Sequence, residues 1–569
     1  MYKRITLLIL VSVSASAELV GKAYELTTHP ATVRIRQEGP LPATCEPTLH
    51  AARGEYESLQ ISLTGLNRLS DLDAAISPFA NAASEQLPAN SATLYRVEYV
   101  PIRFSAPRAT EAPGLTPDPL VPFIDPYTGK KCASPLWTGE EKREGAAYGA
   151  TPFAIWPGQR QTLWLDVYVP RDAKPGDYTA TLTIHAKEKQ LAQSTITLTV
   201  WDFTLPEGPT LENHFGGIEG IANYHGLKTE DEKYRVLEER YAQMFADNRL
   251  NPPTPRRLFP TPGDDGTVTF DAATKEQIAA YMNRYHVTNF EIPHSPFGDA
   301  PESREKSFAF YRSWYAFLLE NSWADRSYLY MFDEPNTPEQ YDRVRQLGAF
   351  IHEAEPRIRK LVVEQPYTHD AAWGTLDDAI DIWCPLFGFI EEKSNECVKA
   401  TGDEIWSYTA LVQTAHPYHP DYEKVKDDLP PFWQIDFPLT SYRVAPWLNW
   451  RYGITGLLYW SSVYWDSPKR DCWHDPGFRV RWNGEGSLFY PGEDAGIEGP
   501  IASIRLKALR DGMEDYEYFA LLASLGKHDE ADAIAREAVP TWGTWKQDAL
   551  ALPQLRERLA EAILRAQQH

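Results

Sequence analysis

Tyr328-Leu329-Tyr330-Met331-Phe332-Asp333-Glu334-Pro335-Asn336-Thr337-Pro338-Glu339-Gln340 is the stretch whose reading decides the fold. A run of β-favouring apolar residues ends in two acids, and Pro335 withholds the N–H that a continuing ladder needs. Thr337 supplies an N-cap, Pro338 a first helical residue and Gln340 the partner of a capping box. The stretch therefore predicts a strand, an acidic turn and a helix, in that order.

Outward from it, short segments that can be strands, at 211–215, 250–254, 289–292, 361–365, 380–385, 404–410 and 456–460, alternate with sequence of helical period. Tyr234, Leu237, Tyr241 and Phe245 mark one such helix; Phe308, Tyr311, Trp314 and Leu318 mark another. Together with 328–332 these segments predict a parallel (β/α)8 TIM-type barrel. Catalytic side chains in such a barrel come from the C-terminal ends of strands, where Asp333 and Glu334 are placed.

The residues before 205 have a different texture. Leu163, Leu165, Val167 and Val169, then Tyr178, Ala180, Leu182 and Ile184, then Ile196, Leu198 and Val200 recur at every second position, with the turn Lys174-Pro175-Gly176-Asp177 between the first two runs. The expected organisation is an N-terminal β-sandwich over 18–205, the barrel over 206–510 and a C-terminal helical extension over 511–569. Residues 1–17, with Lys3, Arg4, an apolar core and Ala15-Ser16-Ala17, have the order of a signal peptide cleaved after Ala17, so a secreted or periplasmic protein is expected.

At 569 residues the chain exceeds what one core supports. A net charge of −23 argues against nucleic acid and anionic membrane as partners, since both need basic surface. No later stretch reaches the roughly 20 apolar residues of a membrane span. The five cysteines have no metal spacing, and His416 and His419 lack the helical i, i+4 context of a zinc pair, so neither metal nor other cofactor is expected. Aromatic residues make up 12% of the chain, including 18 tryptophans, which suits an oligosaccharide or glycoconjugate substrate: a pyranose packs its C–H face on a ring.

The chain resembles glycoside hydrolase family 123 and its wider relatives. The resemblance is carried by Asp333-Glu334-Pro335 after an apolar strand, by Asn483-Gly484-Glu485-Gly486-Ser487-Leu488-Phe489-Tyr490-Pro491-Gly492, by the run from Ser503 to Tyr518, and by Gly54-Glu55-Tyr56-Glu57-Ser58. It implies retaining, substrate-assisted cleavage of β-linked 2-acetamido sugars, N-acetylgalactosamine favoured, in which the substrate's acetamido oxygen attacks the anomeric carbon. By position, Glu334 matches the general acid/base and Asp333 the residue that orients the acetamide N–H. Neighbouring Cα atoms lie about 3.8 Å apart, so both acids can address one sugar. An intramolecular nucleophile gains an effective molarity of about 10⁵ M or more. Tyr408 is expected to contact the acetamide and Trp460 to form the floor of the pocket. Trp406 is expected to face the sugar from its strand, Trp465, Asp466 and Tyr490 to line the leaving-group side from the loops after the last strand, and His214 and His294 to reach sugar hydroxyls from earlier strand ends.

Two alternatives stay open. One is a conventional retaining glycosidase with Glu364 or Glu404 as nucleophile. The other is a non-catalytic carbohydrate-binding protein on an idle barrel.

Overall fold

The computed structural model describes residues 23–568 apart from 136, 139–140, 143–144, 219 and 466–469; the leader expected over 1–17 lies outside the described residues. The N-terminal region is two β-sheets around a shared core. Strands Tyr24–Pro30, Glu55–Gly65, Arg160–Val169, Ala92–Ile102 and Gly114–Pro122 lie side by side in one. Phe153–Ile155, Leu69–Ile76, Gly176–Ala186, Lys189–Thr204 and Thr48–Arg53 run through the other, with Ala80–Asn81 attached. Within Gly176–Ala186, Tyr178, Ala180, Leu182 and Ile184 are the buried set, as alternation requires. The turn at 174–177 joins strands of different sheets, so it carries the chain across the sandwich.

The second region is a seven-stranded parallel sheet, not the closed eight-stranded barrel expected from the sequence. Its order is Glu212–Phe215, Gly456–Tyr459, Glu404–Thr409, Ile382–Trp383, Arg359–Val363, Ser327–Asp333 and Phe290–Glu291. The segment expected as an eighth strand, 250–254, forms none. Pro252 and Pro253 have no N–H to offer a ladder. Asparagine side chains bridge the gap instead: Asn251 N donates to Asn213 Oδ1 at 2.8 Å, Thr288 N to Asn251 Oδ1 at 2.9 Å, and Asn213 N to Asn289 Oδ1 at 3.2 Å.

One side of this sheet packs on helices Ala272–Arg284, Arg304–Glu320 and Pro338–Ala354 through Leu329, Met331, Val362 and Ile405. The other side carries Tyr328, Leu361, Val363, Ile382, Cys384, Trp406, Tyr408 and Leu458. No helix among the described residues is long and apolar enough to cross a membrane.

Helix Ile504–Ser524, which runs across the expected division at 510/511, is buried along almost its whole length between the two regions. Arg160–Val169 is buried on both faces, and its outer face meets this helix at Asp166. Arg510 Nη1 and Lys507 Nζ reach Asp166 Oδ2 at 2.9 and 3.0 Å, and Ser58 donates to Asp166 Oδ1 at 2.7 Å. Burial alone would raise the Asp166 carboxyl, but Arg510 and then Lys507 outweigh it and hold it well below the usual carboxylate range. On the opposite side of the helix Arg443 clamps Asp515 in a fork, 2.7 and 3.0 Å. Arg556, from helix Ala551–Ala566, joins Glu55 and Glu57, and Tyr518 donates to Glu55 at 2.6 Å. The runs Gly54 to Ser58 and Ser503 to Tyr518, which carried the family resemblance, thus meet as one ionic seam.

Removing one partner of a buried pair strands the other's charge in a medium that solvates it poorly, a cost of about 3–5 kcal/mol. Arg510→Ala is expected to lose stability on that scale, seen as a lower urea midpoint, and a variant within about 1 kcal/mol of wild type would show that the seam is not structural.

Candidate active site

On strand Ser327–Asp333, alternation sends Tyr328 and Tyr330 to the inner side and Leu329 and Met331 to the helices. Continued alternation would bring Phe332 inward and turn Asp333 away. The pairing with Arg359–Val363 slips instead: Tyr330 faces Leu361 and Phe332 faces Val362, leaving Met331 as an extra residue. Such a bulge re-aims the side chains beyond it. Phe332 stays with the helix-packed set, and Asp333 comes round to Tyr330, whose hydroxyl donates to its Oδ1 at 3.0 Å.

Glu334 then adopts a left-handed backbone, φ +43°, which costs a non-glycine residue about 1–2 kcal/mol. The Asn336 side chain donates to the Glu334 carbonyl at 2.6 Å, and the Thr337 hydroxyl caps helix Pro338–Ala354 by accepting from Gln340 N. The Tyr408 hydroxyl, from strand Glu404–Thr409, donates to Glu334 Oε1. Both acids are exposed, each with one oxygen fixed by a phenol and the other free to meet a ligand.

Burial, then the neighbouring Glu334 carboxylate, pushes the Tyr408 phenol well above its usual value; burial and then Asp333 do the same to Tyr330. Both phenols therefore serve as donors. Beneath them the Cys384 thiol is buried and pushed far up, by burial first and by Asp333 second, which keeps it unreactive. Glu334 borders a cavity of about 440 Å³ lined also by Tyr408, Glu364, His369, His416 and Tyr418.

The other expected residues divide. Trp460 follows strand Gly456–Tyr459 and is half-buried; its Nε1–H donates to Glu485 Oε1 at 2.7 Å. Gly486 is required beside it, because a Cβ there would lie 2.5 Å from the indole, and its φ is +68°. His214 is half-buried, shares a 2.7 Å hydrogen bond with the Tyr328 hydroxyl, and lines a separate cavity of about 420 Å³ with Glu291. His294 bonds the Tyr330 carbonyl at 2.8 Å.

Three expectations are corrected. Trp406 is 0% exposed and packs under the mouth against Tyr328 and the backbone of Gly456, out of a ligand's reach. Trp465 is 0% exposed, edge-on to Tyr224 in the main core. Tyr490 is buried and donates to Asp118 at 2.5 Å, beside the bidentate Arg505–Asp118 pair, so it joins the regions and lines no pocket. Asp466 lies outside the described residues. Tyr330, His369, Tyr418 and Glu485 were not foreseen. Tyr330 stands three residues before Asp333, a spacing that strict alternation sends to opposite faces.

Residues 268–522 match the model of the family described as glycoside hydrolase 123, catalytic domain. Among solved structures, a family 123 glycoside hydrolase from Clostridium perfringens, reported in a study of glycolipid glycan hydrolysis, is similar with a TM-score of 0.62 and 14% identity, over 96% of this chain and 98% of that one. A family 39 glycoside hydrolase from Bacteroides cellulosilyticus is a looser likeness, TM-score 0.32 and 10% identity, over 82% of this chain and 81% of that one. The comparison with curated proteins gave no match. The family that the sequence motifs resemble is thus the family whose model matches, and the match supports a glycosidase acting on carbohydrate.

The geometry sets two expectations. Tyr408→Phe removes a donor to a carboxylate, a contact of about 1.5–3 kcal/mol, so glycosidase turnover should fall roughly 10- to 100-fold; unchanged steady-state kinetics would refute the contact's importance. Glu334→Gly should be more stable than Glu334→Ala by roughly 1 kcal/mol, because only glycine relieves the left-handed backbone. Equal denaturation midpoints for these two variants would mean the conformation carries no strain.

Proposed function

We propose, from the premise that residues 268–522 are a glycoside hydrolase family 123 catalytic domain, that this chain is an exported enzyme cleaving β-linked 2-acetamido sugars, N-acetylgalactosamine favoured, with retention of configuration. The observation that carries the reading is that two consecutive carboxyl groups, Asp333 and Glu334, are each held by a tyrosine of the sheet's inner side, Tyr330 and Tyr408. Consecutive strand residues point apart; here a bulge and a left-handed residue bring them together.

In this scheme Asp333, steadied by Tyr330, accepts the acetamide N–H and turns the amide oxygen toward the anomeric carbon. The bond from that carbon to the leaving oxygen breaks as the bond to the amide oxygen forms, and Glu334 gives its proton to the leaving oxygen. Glu334 then takes a proton from the water that opens the cyclic oxazolinium intermediate at the same carbon. Two inversions amount to retention.

A protein nucleophile is less well supplied. Glu404 opens its strand, at the edge opposite the acids, and is paired with Arg359 at 2.6 Å. Glu364 does lie on the Glu334 cavity, but burial pushes its carboxyl up toward the neutral acid, which is a poor nucleophile. Export rests on the leader-like residues 1–17.

The test is hydrolysis of aryl β-glycosides with and without a 2-acetamido group. Wild type should cleave the acetamido compounds, and Asp333→Asn should lose activity on them. Glu334→Gln should lose about 10²- to 10⁴-fold on poor leaving groups. Comparable turnover of the 2-hydroxy glycosides would sink the substrate-assisted mechanism.

A further inference from the structure

The two most exposed large apolar side chains among the described residues are Val480, at 68%, and Phe104, at 58%. They come from different regions. Phe104 lies on the loop 103–113 between sandwich strands Ala92–Ile102 and Gly114–Pro122, and Val480 on the turn of a hairpin that pairs Gly477–Phe478 with Trp482–Asn483. The two loops are tied together: Asn483 donates to the Phe104 carbonyl at 2.9 Å, and Arg481 reaches the Ser105 carbonyl at 3.4 Å. The apolar tips therefore stand on neighbouring backbone.

The turn that raises Val480 runs against local preference. Arg479 and Val480 both have a left-handed backbone, φ +43° and +78°. Turns with two such residues favour Asn and Gly, and a branched Cβ fits that region worst. Gly477 is needed beneath, since a Cβ there would lie 2.7 Å from the Val480 carbonyl oxygen. A valine held both strained and in water gives the fold nothing that glycine would not supply better, so its use lies outside the fold.

Charge indicates the partner. Arg103 and Arg108 are exposed on the first loop, Arg479 and Arg481 on the second. Arg103 has Asp475 at 3.7 Å; the other three have no acidic partner among the described residues, and Arg479 lies over the Phe478 ring at 5.0 Å. In a chain of net charge −23, which as a whole repels anionic surfaces, this corner is a local exception. A rigid protein partner would need a socket for each tip. A lipid headgroup layer accepts both without one, and its phosphates suit guanidinium groups. We propose that Phe104 and Val480 insert into the headgroup layer of an anionic membrane, with the four arginines on its phosphates. The Phe478 ring lies 5.9 Å from that of Trp460, the residue after strand Gly456–Tyr459, so the patch stands at the end of the sheet that carries the acids. Docking in this way is independent of the roles given to Asp333 and Glu334.

The experiment sediments the full protein with vesicles of phosphatidylcholine, alone or mixed equally with phosphatidylglycerol. Wild type should bind the mixed vesicles and lose that binding as salt is raised. A basic residue at an anionic surface is worth about fivefold in partition, so the double variant Arg479→Gln, Arg481→Gln should bind roughly 10- to 30-fold more weakly. Phe104→Ser and Val480→Gly should each lose about 5- to 10-fold, as part of an apolar side chain stays in water. Val480→Gly should keep or raise the denaturation midpoint, because glycine relieves the turn, so its loss of binding is no folding defect. Equal binding to both kinds of vesicle, or binding to neither, overturns the proposal. Unchanged binding in Phe104→Ser and Val480→Gly overturns it too, since a contact through charge alone would suit any polyanion. Self-association of the protein without vesicles, abolished by Val480→Gly, would assign the patch to a second copy of the chain and would also overturn it.

Discussion

The ionic seam between the sandwich and helix Ile504–Ser524 is the constraint on which the rest of the molecule depends. Arg510, Lys507 and Arg556 are all buried, and they are satisfied only when Asp166, Glu55 and Glu57 of the sandwich are brought to them. Charges taken from water are costly, and their mutual attraction offsets that cost only where geometry is good. A sliding or tilted sandwich would leave several of them unpaired at once. The seam therefore specifies one docking geometry more than it adds net stability. Its influence reaches the site through the run from Asn483 to Gly492. Asn483 donates to the Phe104 carbonyl of the sandwich at 2.9 Å, Tyr490 joins Asp118, and Glu485 between them anchors the Trp460 indole.

This places the resemblance motifs in a new light. The long run from Ser503 to Tyr518 is the most distinctive stretch of the chain, yet it touches no cavity beside the acids; it holds two regions together. Glycines 484 and 486 flank Glu485 at positive φ, and at Gly486 the indole edge occupies the place of a side chain. Only Asp333-Glu334-Pro335 among the motifs contributes directly to the proposed chemistry.

How much was legible in the sequence depended on which physical rule each element obeyed. The hairpin of Gly176–Ala186 with Lys189–Thr204 follows period two and could be read. So could the strand ending in Asp333, the turn at Pro335 and the cap at Thr337, since each rests on local chemistry. The segment Leu250-Asn251-Pro252-Pro253-Thr254 departs from the expected strand because its two prolines cannot donate to a ladder, and because side-chain amides at 213, 251 and 289 replace a ladder that no periodicity encodes. Trp406, Trp465 and Tyr490 were misplaced for a related reason. Trp406 does take the inner side, but nearness to a strand end says nothing about how deep a ring lies, and large aromatics close cores more often than they line pockets. Tyr418 and His369 come from separate segments, and their stacking exists only once the chain has folded.

The bulge at Met331 bears on how this chain tolerates changes of length. A strand that alternates strictly can lose two residues and keep its faces, whereas here removing Met331 alone would restore even pairing with Asp333 still opposite Val363, and removing Met331 and Phe332 together would swing the first carboxylate toward the helices. The arrangement of the two acids is thus set by parity, by how many residues precede them as much as by which ones they are. A scan of substitutions would pass over that dependence, and comparing a one-codon with a two-codon deletion would expose it.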